Sequence, residues 1–364
     1  MFNHLHYVPI LKWKLGEYQA LTKLSAAVKE RITPLLEIPS IGYDFENSRN
    51  SKSLDDHLKD FGKRLKSKWQ NRRCFVDLKY IGASDRLADG THPLQHVLTL
   101  AHNEGCVVTP VIALTSDAAY LQCVAVDDVA WGNGAALRLR LEDFDRANLA
   151  SAINDALSAA GVSIADTDLI VDLEDKQFLP VTAFVTTLTT ALGLLPSLNL
   201  WRSFTIAGTS YPPTLAGITG STMVLRREWE VYQAFVGTLG AEARIPTFGD
   251  YAVAHPDPVE LDMRLIKPFA KLRYTTSQHW YIAKGTAVRT NGFDQYRAMC
   301  AAVTTQPFYD GPAFSESDRY IAACAAGTET TGNLTTWVWV STNRHVTRVV
   351  FDVANFHGAS APPL

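Results

Sequence analysis

Eight short apolar runs, each followed by a segment with helical spacing, constrain the fold of this chain more than any other feature. The runs occupy residues 6–11, 32–38, 74–80, 106–114, 135–141, 169–173, 200–207 and 246–251. Short apolar runs bounded by turn residues are typical of parallel strands buried on both faces. Between them, residues such as Leu21, Leu24 and Val28 recur at helical intervals. Eight such units predict a (β/α)8 TIM-like barrel, whereas the alternative, a doubly wound open sheet, normally has fewer strands and a glycine-rich phosphate turn.

The alternation stops near residue 255, and the remaining sequence predicts a C-terminal elaboration. Beyond the barrel we expect a β-hairpin of 270–274 and 280–284, helices near 294–303 and 315–326, and β-rich runs at 335–340 and 345–353. The expected organisation is therefore a barrel over 1–255, a hairpin with helices packed on it over 256–357, and a tail over 358–364.

Composition excludes several classes of protein. The 34 basic and 37 acidic residues give a net charge of −3, so no overall positive field demands nucleic acid. No stretch approaches the roughly 18 consecutive apolar residues of a spanning helix, and the first 14 residues lack the features of a signal peptide. We therefore expect a cytoplasmic protein that does not bind membranes. The five cysteines are widely spaced and form no Cys-x-x-Cys pair, which argues against disulfides or a cysteine zinc site.

Charged residues recur where the predicted strands end, and in a barrel these ends meet at the mouth that holds the active site. As catalytic residues we predict Glu37, Asp77, Lys79, Asp172 and Glu174. As substrate ligands at the same mouth we predict Lys12, Arg138, Arg140 and Asp250. The four acidic catalytic candidates, Glu37, Asp77, Asp172 and Glu174, could also hold Mg²⁺ or Mn²⁺ through oxygen ligands. The alternative is that these charges form structural ion pairs or lie at exposed strand ends.

A basic segment is hidden by the near-neutral total. Residues 263–293 contain no acidic residue and six basic ones, which are Arg264, Lys267, Lys271, Arg273, Lys284 and Arg289. Basic and aromatic residues interleaved on a hairpin could track a phosphate backbone and stack on bases, or bring cations to an anionic substrate. The alternative is a packed hairpin with aromatics in its core. We add as substrate-binding candidates Lys271, Arg273, Tyr274, Trp280 and Lys284.

Two N-terminal stretches resemble a known family. They are residues 7–21 (YVPILKWKLGEYQAL) and 32–39 (ITPLLEIP), and similarity continues in residues 75–79 (FVDLK) and around Tyr274, Trp280 and Lys284. The family is called beta protein and is named from a bacteriophage protein. The resemblance covers most of the chain and implies a setting in phage–host conflict, but it carries over no activity or catalytic residue.

These observations leave two functions open. The first is a hydrolase acting on a phosphate-bearing substrate, a nucleotide or nucleic acid. In it, the strand-end carboxylates hold a metal or act as general base, and the Lys/Arg set stabilises negative charge. Glu37→Gln or Asp172→Asn should then abolish function and leave thermal stability nearly intact. The alternative is a non-catalytic component of a phage–host conflict system that binds nucleic acid, or a phage or host protein, through the basic hairpin.

Overall fold

The computed structural model describes residues 2–256 and 267–363. Residues 257–266 of the predicted elaboration, which include Arg264 of the basic segment, therefore lie outside the described residues. The strands in the described part are β1 (Tyr7–Lys12), β2 (Leu35–Glu37), β3 (Tyr43–Asp44), β4 (Arg49–Asn50), β5 (Cys74–Asp77), β6 (Val108–Ile112), β7 (Ala135–Arg140), β8 (Thr167–Asp172), β9 (Ser203–Gly208), β10 (Gly220–Leu225), β11 (Thr247–Asp250), β12 (Phe269–Thr275) and β13 (His279–Ala287).

The helices alternate with the barrel strands and then continue beyond them. In chain order they are α1 (Leu15–Thr22), α2 (Ala26–Lys29), α3 (Leu54–Leu58), α4 (Phe61–Trp69), α5 (Pro93–Asn103), α6 (Ala118–Trp131), α7 (Leu149–Ala159), α8 (Val181–Leu192), α9 (Arg227–Gly237), α10 (Val288–Asn291), α11 (Gln295–Thr304), α12 (Glu316–Ala326) and α13 (Leu334–Phe356). Within the described ranges, no helix combines the length and the apolar character needed to cross a lipid bilayer.

Eight parallel strands close into a barrel in the order β1-β11-β9-β8-β7-β6-β5-β2. The predicted (β/α)8 barrel is thus confirmed, and each of the eight predicted runs overlaps one barrel strand. Every residue of β1, β8 and β9 is buried. The interior of the barrel covers one face of each strand and the helices cover the other, which is why these strands are apolar runs rather than alternating ones.

The strand register brings the predicted charged residues to one level of the barrel. Lys12 pairs with Glu37 across β1 and β2, and Glu37 pairs with Asp77 across β2 and β5. On the other side, Arg140 pairs with Asp172 across β7 and β8. Because the strands are parallel, all these residues lie at the carboxyl end of the barrel, which is the mouth at which barrel active sites form.

The predicted hairpin is present as antiparallel β12 and β13, and β10 joins it as a third strand paired with β13. The sequence did not indicate β10, which lies in the connection between β9 and α9. Its residues alternate between exposed and half-buried, so it lacks the continuous apolar run by which the barrel strands were predicted. The helices expected near 294–303 and 315–326 are present as α11 and α12.

The prediction of β-rich structure at 335–340 and 345–353 is wrong, because both segments lie in the single long helix α13. The Thr and Val residues there favour strands locally. However, Val346, Val349, Val350 and Val353 follow helical spacing and are buried in the same apolar core as the barrel strands. Burial of this stripe outweighs the local preference. The first half of α13 packs instead with β12, β13, α11 and α12 in a second apolar core, so one helix belongs to both parts.

Candidate functional site

The guanidinium of Arg138 lies at the centre of the charges at the mouth. Its Nη1 donates to Glu37 Oε1 at 2.8 Å and to Asp77 Oδ2 at 2.6 Å. Its Nε and Nη2 donate to Asp172 Oδ2 at 2.9 and 2.7 Å, and Nη2 also donates to the Tyr251 hydroxyl at 2.7 Å. All five side chains are buried. Buried charges are tolerated when they are paired and hydrogen-bonded in this way.

Two lysines complete the arrangement around Glu37. Lys12 Nζ lies 2.5 Å from Glu37 Oε2 and donates to the carbonyl of Pro256 at 2.5 Å and to the Tyr80 hydroxyl. Lys79 Nζ lies 3.2 Å from Glu37 Oε1. We call the seven residues Lys12, Glu37, Asp77, Lys79, Arg138, Asp172 and Tyr251 the Arg138 cluster. Its three carboxylates face three cations, so its formal charges cancel.

Electrostatics make Glu37 a poor general base. Burial alone would raise the pKa of Glu37, but Arg138, Lys12 and Lys79 together outweigh burial and lower that pKa to about 2. A general base works best with a pKa near the operating pH. Burial lowers the pKa of Lys12 in spite of the opposing effect of Glu37. For Arg138, burial is outweighed by Tyr251 and the carboxylates, which raise its pKa.

The predicted divalent metal site does not fit this geometry. Glu37, Asp77 and Asp172 direct their oxygens at Arg138, whose guanidinium occupies the position that a shared cation would take. Glu174 points to Arg140 instead, 3.4 Å from its Nε. In residues 2–256 and 267–363, no three His, Cys, Asp or Glu side chains are grouped so as to hold a metal ion. These four carboxylates are therefore directed at arginine side chains and not at a common metal position.

Asp250 does not reach the mouth as the sequence predicted. It is fully buried, accepts a hydrogen bond from the Tyr7 hydroxyl at 2.5 Å and lies 2.8 Å from Nε2 of His345. His345 belongs to α13, so this contact ties the end of β11 to the C-terminal helix. The expectation that Asp250 binds substrate is corrected to a structural hydrogen bond, with a partner 95 residues away that spacing could not indicate.

The aromatic residues of the hairpin belong to the protein core. Tyr274 is fully buried and donates to Asp318 at 2.8 Å, and Trp280 is fully buried and donates to Nδ1 of His345 at 3.3 Å. Neither ring is accessible to a base, so the expectation that they bind substrate is corrected. Lys284 directs its Nζ to two backbone carbonyls of the β9–β10 connection, at 2.8 and 3.0 Å. It therefore holds that connection to β13.

Lys271 and Arg273, the other two hairpin candidates, line a cavity of about 800 Å³ at the mouth. We call it the mouth cavity. Its walls are formed by the segments that follow β1, β9 and β11, together with β12 and the first turns of α13. Lys12 and Lys14 line it from the β1 side. A volume of this order is typical of small-molecule sites.

The lining of the mouth cavity is strongly cationic. Among the described residues that form it, four are Lys or Arg and Glu17 supplies the one carboxyl group. Within the described ranges, no carboxylate lies within 4 Å of Lys14, Lys271 or Arg273, and the buried Nε of Arg273 has no hydrogen-bond partner. The N-terminal end of α13 opens on the cavity at Leu334 and Thr335 and adds positive partial charge.

A second, smaller cleft of about 320 Å³ lies on the other side of the Arg138 cluster. The basic residues Lys79, Arg138 and Arg140 line it together with the acidic residues Asp77, Asp117, Glu142 and Asp143. Arg140 is partly exposed and lies near Glu174 and Glu142, at 3.4 and 3.8 Å. The charges of this cleft largely offset one another, so it is less suited to an anion than the mouth cavity.

Comparison with known proteins gives the family. The family model described as Beta protein matches residues 7–351. The chain belongs to the Beta protein family. The resemblance in the N-terminal stretches is thereby confirmed. No curated protein matches this member of the family in sequence.

Solved structures similar to this Beta protein family member are TIM-barrel proteins. Triosephosphate isomerase from Bartonella henselae matches at 10% identity and a TM-score of 0.34, over 67% of this chain and 92% of that one. A mutant tryptophan synthase α-subunit from Pyrococcus furiosus matches at 13% identity and a TM-score of 0.38, over 69% and 89%. The likeness concerns the fold alone.

Glu17 is the residue of this mouth that the sequence did not indicate. It lies in the first turn of α1, where an acidic residue is ordinarily explained by the helix dipole. The structure buries it on the wall of the mouth cavity. Burial raises the pKa of Glu17 to about 7, although Lys14 and Lys12 oppose the shift. A buried carboxyl in a cleft is a candidate for function, but only the contact between α1 and α13 reveals its position.

Proposed function

We propose that this member of the Beta protein family binds a phosphate-bearing ligand in the mouth cavity and hydrolyses it. The observation that carries the binding step is the cationic lining, in which Lys14, Lys271 and Arg273 lack a carboxylate neighbour among the described residues. A cluster of like charges that is not neutralised by the protein favours an anion. Arg273 can bind phosphate oxygens through its planar guanidinium, and the lysines act as point charges.

The Arg138 cluster has a supporting role in this proposal. Lys12 belongs both to the cluster and to the lining of the cavity, so the buried carboxylate of Glu37 fixes a cation at the base of the ligand site. Hydrolysis is the reaction proposed because water is the only co-reactant it needs. In this proposal the ligand is a nucleotide or nucleic acid, and the protein acts in the phage–host setting that the family resemblance implies.

The alternative of a non-catalytic nucleic-acid-binding hairpin has less support. Stacking on bases needs accessible rings, and Tyr274 and Trp280 are fully buried. Lys284 is also directed at backbone carbonyls rather than outward. Binding of single-stranded oligonucleotides without hydrolysis would favour this alternative over the proposed one.

The test is calorimetric titration with bis(p-nitrophenyl) phosphate, a phosphodiester that does not itself titrate near neutrality. The double variant Lys14→Ala/Lys271→Ala should bind it about 30-fold more weakly, because each charge-assisted contact is worth about 1 kcal/mol or more. Wild-type affinity should also fall as salt is added. The matched control is Lys63→Ala/Lys66→Ala, which removes two exposed charges from α4. Equal affinity in the two double variants would contradict the proposed site.

A further inference from the structure

We propose that Glu17 is the general acid–base residue of the mouth cavity and activates the water that attacks the bound phosphodiester. This inference rests on the proposed function and adds the group that performs proton transfer. Its basis is the position of a buried carboxyl on the wall of a cationic cavity, at the carboxyl end of the barrel.

The carboxyl of Glu17 differs from the other buried carboxyls at the mouth because it is not held by an ion pair. Glu37, Asp77 and Asp172 each accept hydrogen bonds from Arg138. In contrast, no cation of residues 2–256 or 267–363 lies within 4 Å of the Glu17 carboxylate. A carboxylate committed to a guanidinium cannot also take up a proton easily, whereas Glu17 is available to do so.

Close packing of α1 on α13 fixes Glu17 in place. A Cβ atom added to the neighbouring Gly16 would lie 2.4 Å from Cγ1 of Val338 on α13. Only glycine therefore allows this approach of the two helices. The contact sets the first turn of α1 beside the cavity and limits the access of water to Glu17, whose exposure is 8%.

The surroundings of the two glutamates separate their roles. Burial raises the pKa of Glu17 to about 7, and Glu37 adds to this shift while Lys14 and Lys12 oppose it. For Glu37 the cations prevail over burial and lower its pKa to about 2. Two carboxyls whose pKa values are driven apart in one site are typical of acid–base catalysis.

The remaining elements around Glu17 add few charges. Lys271 and Arg273 line the same cavity from β12. The side chains that α13 contributes to the lining are uncharged and are those of Leu334, Thr335, Val338 and Thr342. α4 also packs on α1, and its Arg64 lies over the ring of Tyr18, 5.7 Å from the ring centre. His255 also lines the cavity, and its Nε2 lies 2.8 Å from Oδ2 of Asp175. The Glu17→Gln variant therefore distinguishes proton uptake by Glu17 from proton uptake by His255.

The reaction balances with water alone. Glu17 carboxylate accepts a proton from water as the water oxygen forms a bond to phosphorus. The bond from phosphorus to the leaving oxygen breaks, and its electron pair remains on that oxygen. Glu17 then returns the proton to the leaving group, which yields an alcohol and a phosphomonoester. Lys14 and Arg273 stabilise the negative charge on the non-bridging oxygens.

The experiment compares wild type, Glu17→Gln and Glu17→Asp with bis(p-nitrophenyl) phosphate as the probe. Glu17→Gln should lower kcat by about 100-fold or more, the usual contribution of a general base, and leave Kd within about threefold. Glu17→Asp keeps the carboxyl and should recover part of the rate. In wild type, kcat/KM should rise with pH up to about 7, the pKa of Glu17 in the protein without ligand, and then level off. In Glu17→Gln this pH dependence should disappear.

Calorimetry provides a second readout that does not depend on turnover. Binding of the probe anion near Glu17 should draw protons from the buffer at pH 7, so the observed enthalpy should depend on the ionisation enthalpy of the buffer. The Glu17→Gln variant should lose this dependence. Probe binding with neither hydrolysis nor proton uptake in wild type would overturn the role of Glu17 and leave the binding proposal standing. No probe binding in wild type would overturn both.

Discussion

Replacement of Arg138 with alanine would remove a cation that is shared by three buried carboxylates. The side chain makes five hydrogen bonds, to Glu37, Asp77, Asp172 and Tyr251. Removing one partner of a buried ion pair costs about 3–5 kcal/mol, because the other charge remains buried without compensation. We expect Arg138→Ala to lower the free energy of unfolding at pH 7 by at least that amount.

The pH dependence of this loss follows from Glu37. In wild type its pKa is lowered from 4.5 to about 2, so its stabilising contribution is complete above pH 4.5 and is lost as the pH falls through 2. A shift of this size corresponds to about 3 kcal/mol. Without Arg138, Lys12 and Lys79 still lower the pKa of Glu37 but burial opposes them. The pKa should therefore rise from about 2 toward its ordinary value, and the stabilising contribution of Glu37 at neutral pH should fall. The difference between variant and wild type should therefore shrink by about half between pH 7 and pH 3.

Urea denaturation followed by circular dichroism at both pH values would measure the effect. The control is Arg140→Ala, two residues further along β7, whose partly exposed side chain makes only longer contacts, at 3.4 and 3.8 Å. That variant should lose about 1 kcal/mol or less. An Arg138→Ala variant within about 1 kcal/mol of wild type, or one whose loss does not change with pH, would refute the account of the cluster.

Two further changes in stability are expected, one at the ligand site and one where α13 meets the barrel. Because the pKa of Glu17 is raised from 4.5 to about 7, this residue destabilises the fold at high pH and has no such effect below 4.5. Glu17→Gln should therefore stabilise the protein by about 2–3 kcal/mol at pH 8 and by little at pH 4, and equal unfolding curves at pH 8 would contradict this. Asp250→Asn should lower the free energy of unfolding by about 2–3 kcal/mol, because it weakens charge-assisted hydrogen bonds to Tyr7 and His345. If urea denaturation showed a loss under about 0.5 kcal/mol, the contact would not be what holds β11 to α13.

The barrel could be predicted because parallel strands buried on both faces leave short apolar runs in the sequence. The convergence of Lys12, Glu37 and Asp77 could also be predicted, because parallel register places strand ends at one level. The roles of these three residues could not be predicted in the same way. Side-chain direction decides whether a carboxylate faces a ligand or a guanidinium, and the carboxylates of Glu37, Asp77 and Asp172 all face Arg138. The expectation that Glu37→Gln leaves stability intact is inconsistent with its burial among three cations.

The C-terminal part shows a different limit of prediction. The hairpin of β12 and β13 could be predicted from its own residues. Strand β10 could not, because it pairs with β13 more than 50 residues later in the chain. For α13, local strand preference conflicted with burial against the barrel, and burial prevailed. Glu17 was missed for a similar reason. Its position on the mouth cavity depends on how α1 packs on α13, which no spacing within α1 reveals.

The most direct test of the central claim is the position of a bound phosphodiester. A crystal structure of the wild-type protein soaked with bis(p-nitrophenyl) phosphate should show the phosphate in the mouth cavity. Its oxygens should lie within about 3 Å of Arg273 and of Lys14 or Lys271, the distance of a charge-assisted hydrogen bond, with Glu17 beside the phosphorus. A phosphate bound in the smaller cleft next to Arg140, or away from the barrel mouth, would contradict the account.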